Sequence, residues 1–144
     1  MNEWLRIAEG EAELPTEFQR MIAAWEAIVV WQRAHCGQHV RDREMNDRLV
    51  VELPLTALTD DPTWIPQVCE LKALCPIKEI RNDQETGVTQ DIHDATDWRG
   101  IVDTLYLIRC NLLHGGKNPL SEDDLTKAGH AAKLAAFVAR HLPQ

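Results

Sequence analysis

The run Tyr106-Leu107-Ile108-Arg109-Cys110-Asn111-Leu112-Leu113-His114-Gly115-Gly116-Lys117 places polar groups inside an otherwise apolar helix. Upstream of it, Ile101, Leu105, Ile108 and Leu112 recur at spacings of four, three and four, the stripe of an amphipathic helix. Val102, Tyr106, Leu107 and Leu113 widen that stripe until little of the helix is suited to water, which predicts a central, buried element. Arg109 and His114 must then either reach solvent in a cleft or be satisfied by partners, because an unpaired buried charge is very costly. Gly115-Gly116 ends the helix, since glycine takes the left-handed C-terminal conformation without steric penalty. His114 falls in the last turn, at the negative end of the helix dipole, which favours a protonated imidazole.

Arg109, four intervening residues and His114 at a helix end resemble the motif of the HEPN superfamily. The longer run Arg109, Asn111, Leu112, His114, Gly115, Gly116, Lys117 is similar to a segment found in many of its members. The resemblance implies an all-α bundle that forms a homodimer and, in active members, cleaves RNA without metal or cofactor, leaving a 2′,3′-cyclic phosphate and a 5′-hydroxyl. It also implies that many small stand-alone relatives are toxins or defence effectors held silent by an antitoxin or regulatory protein. Cys110 departs from the pattern, in which a polar residue usually follows the arginine, and a thiol is a weak hydrogen-bonding group. A second reading is therefore a catalytically inactive HEPN module that binds RNA, a nucleotide or a protein.

The expected chemistry assigns Arg109 and His114 as catalytic residues. RNA cleavage without metal needs a group that manages a proton and a cation that stabilises the added charge on phosphorus. Histidine exchanges a proton near neutral pH, and arginine stays charged and grips two phosphate oxygens with its planar fork. Asn111 is expected either to bond phosphate or to position His114, and Lys117 to bind the RNA backbone. Five positions along an ideal helix turn a side chain by about 140°, so Arg109 and His114 do not share a face within one chain. A composite site across a homodimer follows from that angle together with the resemblance.

A chain of 144 residues fits one domain, with no second required. Hydrophobic residues at 44% and charged residues at 26% are the balance of an ordinary globular protein. No apolar run approaches the ~20 residues of a membrane span, and the acidic start Met1 to Leu14 is not built like a signal peptide, so a cytoplasmic location is expected. Cys36, Cys69, Cys75 and Cys110 show no paired spacing, and reduced, mostly buried thiols are expected. The net charge of −8 opposes broad, nonspecific nucleic-acid binding and leaves room only for a local basic patch or a basic partner.

Along the chain, Asn2 to Ala8 suits a short helix. Thr16 is expected to cap a long one, with Gln19 completing a capping box. Its stripe runs through Phe18, Met21, Ile22, Trp25, Ile28, Val29 and Trp31 to about Cys36, and Gly37 closes it. This segment loosely resembles the first long helix of HEPN proteins. Gln38 to Asp47 reads as helix or loop, and Leu49 to Leu55 as a strand or a helical turn, so a short extended segment is admitted near residues 49–55. Asp60 or Asp61 before Pro62 starts a helix bearing Trp64, Ile65, Val68, Leu71 and Leu74. Ile77 to Gly87 includes a short turn, and Asn82 to Gln90 has loop composition. Asp94 or Thr96 caps the central helix, drawn from about Asp97 to Leu113. Ser121 caps the last one, whose apolar positions from Leu125 to Leu142 include an alanine-rich face suited to close packing.

Two further clusters have structural readings. His35, Cys36 and His39 are near zinc-ligand spacing, but Gly37 interrupts them and no further ligand follows at a standard distance, so they read as a helix end and no metal site is expected. Trp4, Trp25, Trp31, Trp64 and Trp98 are expected in the core or an interface rather than stacked on bases.

Overall fold

A computed structural model describes the backbone of residues 3–82, 84–114 and 121–143, with the side chains of Glu3, Trp4 and His114 outside the described set. The described residues form helices α1 (Glu3–Ala8), α2 (Thr16–Cys36), α3 (Asp42–Glu52), α4 (Leu55–Thr59) and α5 (Trp64–Lys72). Strands β1 (Ile77–Arg81) and β2 (Gln84–Gln90) follow, then α6 (Trp98–His114) and α7 (Glu122–Arg140). The fold is mostly helical, as expected, but it is not all-α. None of these helices is long and apolar enough to cross a membrane.

The α2 and α7 helices pack along one another, which the buried alanines Ala128, Ala131, Ala132 and Ala135 permit by keeping that face of α7 thin. Phe18, Met21, Trp25 and Ile28 of α2 and Leu134, Phe137 and Val138 of α7 meet α5 and α6 in one core. Trp64 sits at its centre, 5.9 Å edge-on from Trp98 and 5.4 Å from Phe137, with its indole N–H donating to the Ala95 carbonyl at 3.1 Å. Trp98 in turn donates to the Leu53 carbonyl at 3.0 Å. Trp25, Trp31, Trp64 and Trp98 are all buried, while Trp4 lies outside the described side chains.

The α6 helix touches α2, α3, α7 and both strands, the central position its apolar stripe predicts. It is not buried all round: Tyr106 is half-buried and Leu113 is 45% exposed. Its cap is Asp97 rather than Asp94 or Thr96. One Asp97 carboxylate oxygen accepts the Gly100 N–H at 3.0 Å and the other the His93 N–H at 2.9 Å. Asp94 is occupied in a tighter turn of its own, accepting from the backbone N–H and hydroxyl of Thr96.

Other local expectations are corrected in the same way. Pro15 occupies the cap position of α2 without a side-chain cap bond, Thr16 is already helical, and the Gln19 carboxamide reaches past both to the Leu14 carbonyl. The α2 helix ends at Cys36 with Gly37 at a φ of 96°, and His35 stacks on Trp31 while its Nδ1 donates to the Trp31 carbonyl at 2.8 Å. Asp61 closes a turn by accepting from Thr63, and α5 starts after it with Trp64, Val68 and Leu71 inward and Ile65 outward. Ser121 caps α7, accepting from the Asp124 N–H. The thiols are free, but Cys69 is exposed and the other three are only half-buried.

The extended structure lies at residues 77–90, not at 49–55, where α3 ends and Pro54 leads into α4. β1 and β2 form an antiparallel hairpin that pairs Ile77 with Gln90 and Arg81 with Gln84, with an irregular register between Lys78 and Ile80. Gly87, at a φ of 88°, supplies the backbone conformation that the irregularity on β2 needs.

Candidate functional site

The α6 face carrying Arg99, Asp103, Tyr106 and Cys110 forms the floor of a cleft of about 1170 Å³, walled on one side by α3 and on the other by the hairpin. Spacings of four, three and four put these four residues on one side of the helix. The α3 helix contributes Asp42, Arg43, Asn46 and Asp47, and the strands contribute Glu79, Arg81 and Gln90.

Most of these charges are spoken for. Arg99 pairs with Asp47 at 2.5 Å and Arg81 with Glu79 at 3.3 Å. The Tyr106 hydroxyl donates to Asp42 at 2.6 Å, and its ring lies 5.9 Å from that of Trp25. Burial first, then the bonds to Asp42 and Cys110, push the Tyr106 phenol well above its ordinary range, so it remains protonated. Burial also raises the Asp103 carboxyl, with the neighbouring Arg99 opposing it. Among the described residues no group of three or more His, Cys, Asp or Glu converges as a metal ligand set.

Arg109 differs from the other arginines of α6 and the hairpin. It is half-buried, lines the flank of the cleft, and forms no ion pair or hydrogen bond with any described residue. The structural explanation for a helix arginine, a carboxylate partner, is therefore missing among the described residues. Arg109 also borders a smaller cavity of about 70 Å³ between α2 and α3, together with Trp25, Gln32, Asp42 and Asn46.

Asn111 has a different duty from the one expected. It is 5% exposed; its side-chain oxygen accepts the Ile80 N–H at 3.1 Å and its nitrogen donates to the Lys78 carbonyl at 2.8 Å. A carboxamide is a detached peptide group, so it bonds a strand as a neighbouring strand would. Asn111 thus ties β1 to α6 and sets one wall of the cleft. Asn111→Leu leaves both backbone groups of β1 without that partner, and a loss of about 1–3 kcal/mol is expected in urea unfolding, with faster hydrogen exchange at Ile80. An unchanged urea midpoint would remove this role.

His114 is the last residue of α6, but its side chain, and Gly115, Gly116 and Lys117 altogether, lie outside the described residues. Asp42, Asn46 and Tyr106 were not expected at the site. Tyr106 read only as a widening of the apolar stripe, and Asp42 and Asn46 fall in the polar segment that fitted helix and loop equally. Their spacing of four, next to the apolar pair Met45 and Leu49, was the one available signal. Comparison with protein-family models, curated proteins and solved structures returns no match to this chain.

Proposed function

We propose that this chain is a metal-independent endoribonuclease of the HEPN type, with a site built on Arg109 and His114 and completed by a second copy of the chain. The observation that carries this reading is Arg109: a half-buried residue on a cleft wall, without a carboxylate partner among the described residues. A cleft-lining cation without a counter-charge among the described residues is disposed to meet an anion. In the proposed reaction the ribose 2′-oxygen attacks phosphorus and the bond to the 5′-oxygen breaks. Arg109 stabilises the added charge on the phosphate oxygens, and His114 carries the proton given up by the 2′-hydroxyl to the leaving 5′-oxygen. A toxin or defence role, with an antitoxin or regulatory protein as partner, belongs to the same proposal.

A catalytically inactive binding module is the second reading. The structure favours it at one point, because Asn111 is engaged by β1 and Cys110 belongs to the Tyr106 network, so neither of the two residues following Arg109 is held free for substrate.

The test is cleavage of end-labelled RNA by purified protein in excess EDTA. Wild type is expected to yield products ending in a 2′,3′-cyclic phosphate, and His114→Ala to lose the activity. Uncut RNA with folded wild type, or equal cleavage by the variant, transfers the conclusion to the binding module.

A further inference from the structure

The cavity beside Arg109 has a polar floor that the proposed chemistry does not use. Gln32 of α2 is 1% exposed and Asn46 of α3 is 4% exposed, and the Gln32 nitrogen donates to the Asn46 side-chain oxygen at 2.9 Å. That bond consumes the acceptor end of Asn46 and turns its Nδ2 donor the other way. No described residue takes this donor, and Asn46 lines both the large cleft and the small cavity, as Arg109 does. Among the described residues only Gln67 Oε1 and Thr104 Oγ1 are sealed side-chain atoms without a hydrogen-bond partner. The Asn46 donor is therefore not sealed off: it opens to the cavities that Asn46 and Arg109 both line, where a bound acceptor can reach it.

We infer that Arg109 and Asn46 together form an oxyanion subsite for a phosphate group, with Gln32 as the residue that orients the Asn46 donor. Arg109 supplies the charge and the fork, and Asn46 supplies a directed N–H from a second helix. The cavity, at about 70 Å³, has room for a tetrahedral anion and not for a nucleoside. Its rim is close to charge-balanced: Glu26 and Asp42 stand against Arg33 and Arg109. The Asp42 carboxylate is bonded by Tyr106, and the Arg33 guanidinium donates to the Gln38 carbonyl. Binding therefore depends on directed donors more than on a general positive field. The inference deepens the nuclease reading, in which the anion is the scissile phosphate, but as a phosphate site it stands without that reading.

The experiment is a titration of ¹⁵N-labelled protein with inorganic phosphate at constant ionic strength, with chloride as the control anion. Phosphate is expected to shift the Asn46 side-chain amide resonances saturably, and chloride is not. Arg109→Ala is expected to abolish the shift. The double variant Gln32→Met/Asn46→Leu replaces both bonding partners by apolar groups of similar size, which spares the fold and leaves the net charge unchanged. It is expected to weaken phosphate binding about tenfold or more, followed on the remaining cleft amides. An Asn46 amide indifferent to phosphate, or a folded double variant that binds phosphate as tightly as wild type, overturns the subsite. Phosphate binding as expected with RNA left uncut sinks the nuclease reading and leaves the subsite standing.

Discussion

On the proposed nuclease reading, Arg109→Ala is expected to slow RNA cleavage by about 10²–10³-fold, the usual effect of removing a group that stabilises developing charge. Its melting temperature should stay within about 1–2 °C of wild type. The two halves of this result have separate origins. The expected catalytic loss follows from the position of a half-buried arginine on the cleft wall. The small change in stability follows from its lack of ion-pair and hydrogen-bond partners among the described residues, because removal then orphans no buried carboxylate. Arg109→Lys keeps the charge and loses the planar fork, so activity between those of alanine and wild type is expected. Single-turnover cleavage in EDTA beside a thermal melt checks both halves. A large fall in melting temperature with no loss of cleavage would show that Arg109 serves the fold and would withdraw it from the site.

The central helix was legible because its apolar positions repeat over about three turns, and its observed limits differ from the expected ones by a residue at each end. The cap was not, since Asp94, Thr96 and Asp97 are all suitable residues, and only the tertiary course of the loop decides that Asp97 meets Gly100. The hairpin was illegible for a different reason. β2 is exposed nearly throughout, so it carries no inside–outside alternation, and only Ile77 of β1 is buried. An invisible hairpin also hid the role of Asn111, whose partners are the backbone of β1. Asn46 was obscured in a similar way. Its carboxamide is oriented by Gln32, fourteen positions upstream and on another helix, and no spacing rule within one helix reaches that far. Arg109 could be singled out from the run around it, but its lack of acidic partners among the described residues depends on where α2 and α3 cross α6.

The largest stability effect is expected at Trp64→Ala, a loss of about 3–5 kcal/mol. Trp64 is fully buried, and it is the ring on which α5, α6 and α7 converge through Trp98 and Phe137. Truncation opens a cavity among groups that cannot follow the missing indole inward, since Trp98 is held by its bond to Leu53 and α7 by its packing along α2. It also leaves the Ala95 carbonyl without the indole donor, just before the start of α6. Trp64→Phe retains most of the ring contact and forfeits that bond, so a smaller loss of about 1–3 kcal/mol is expected. Urea unfolding measures both. A Trp64→Ala loss below that of Trp64→Phe would mean that packing is not what anchors this corner. The order alanine worse than phenylalanine worse than wild type would mean that the core beneath α6 is held by ring packing with a single directed bond added. In that case the aim of Arg109 into its cleft rests on Trp64, through the segment that starts α6 at Trp98.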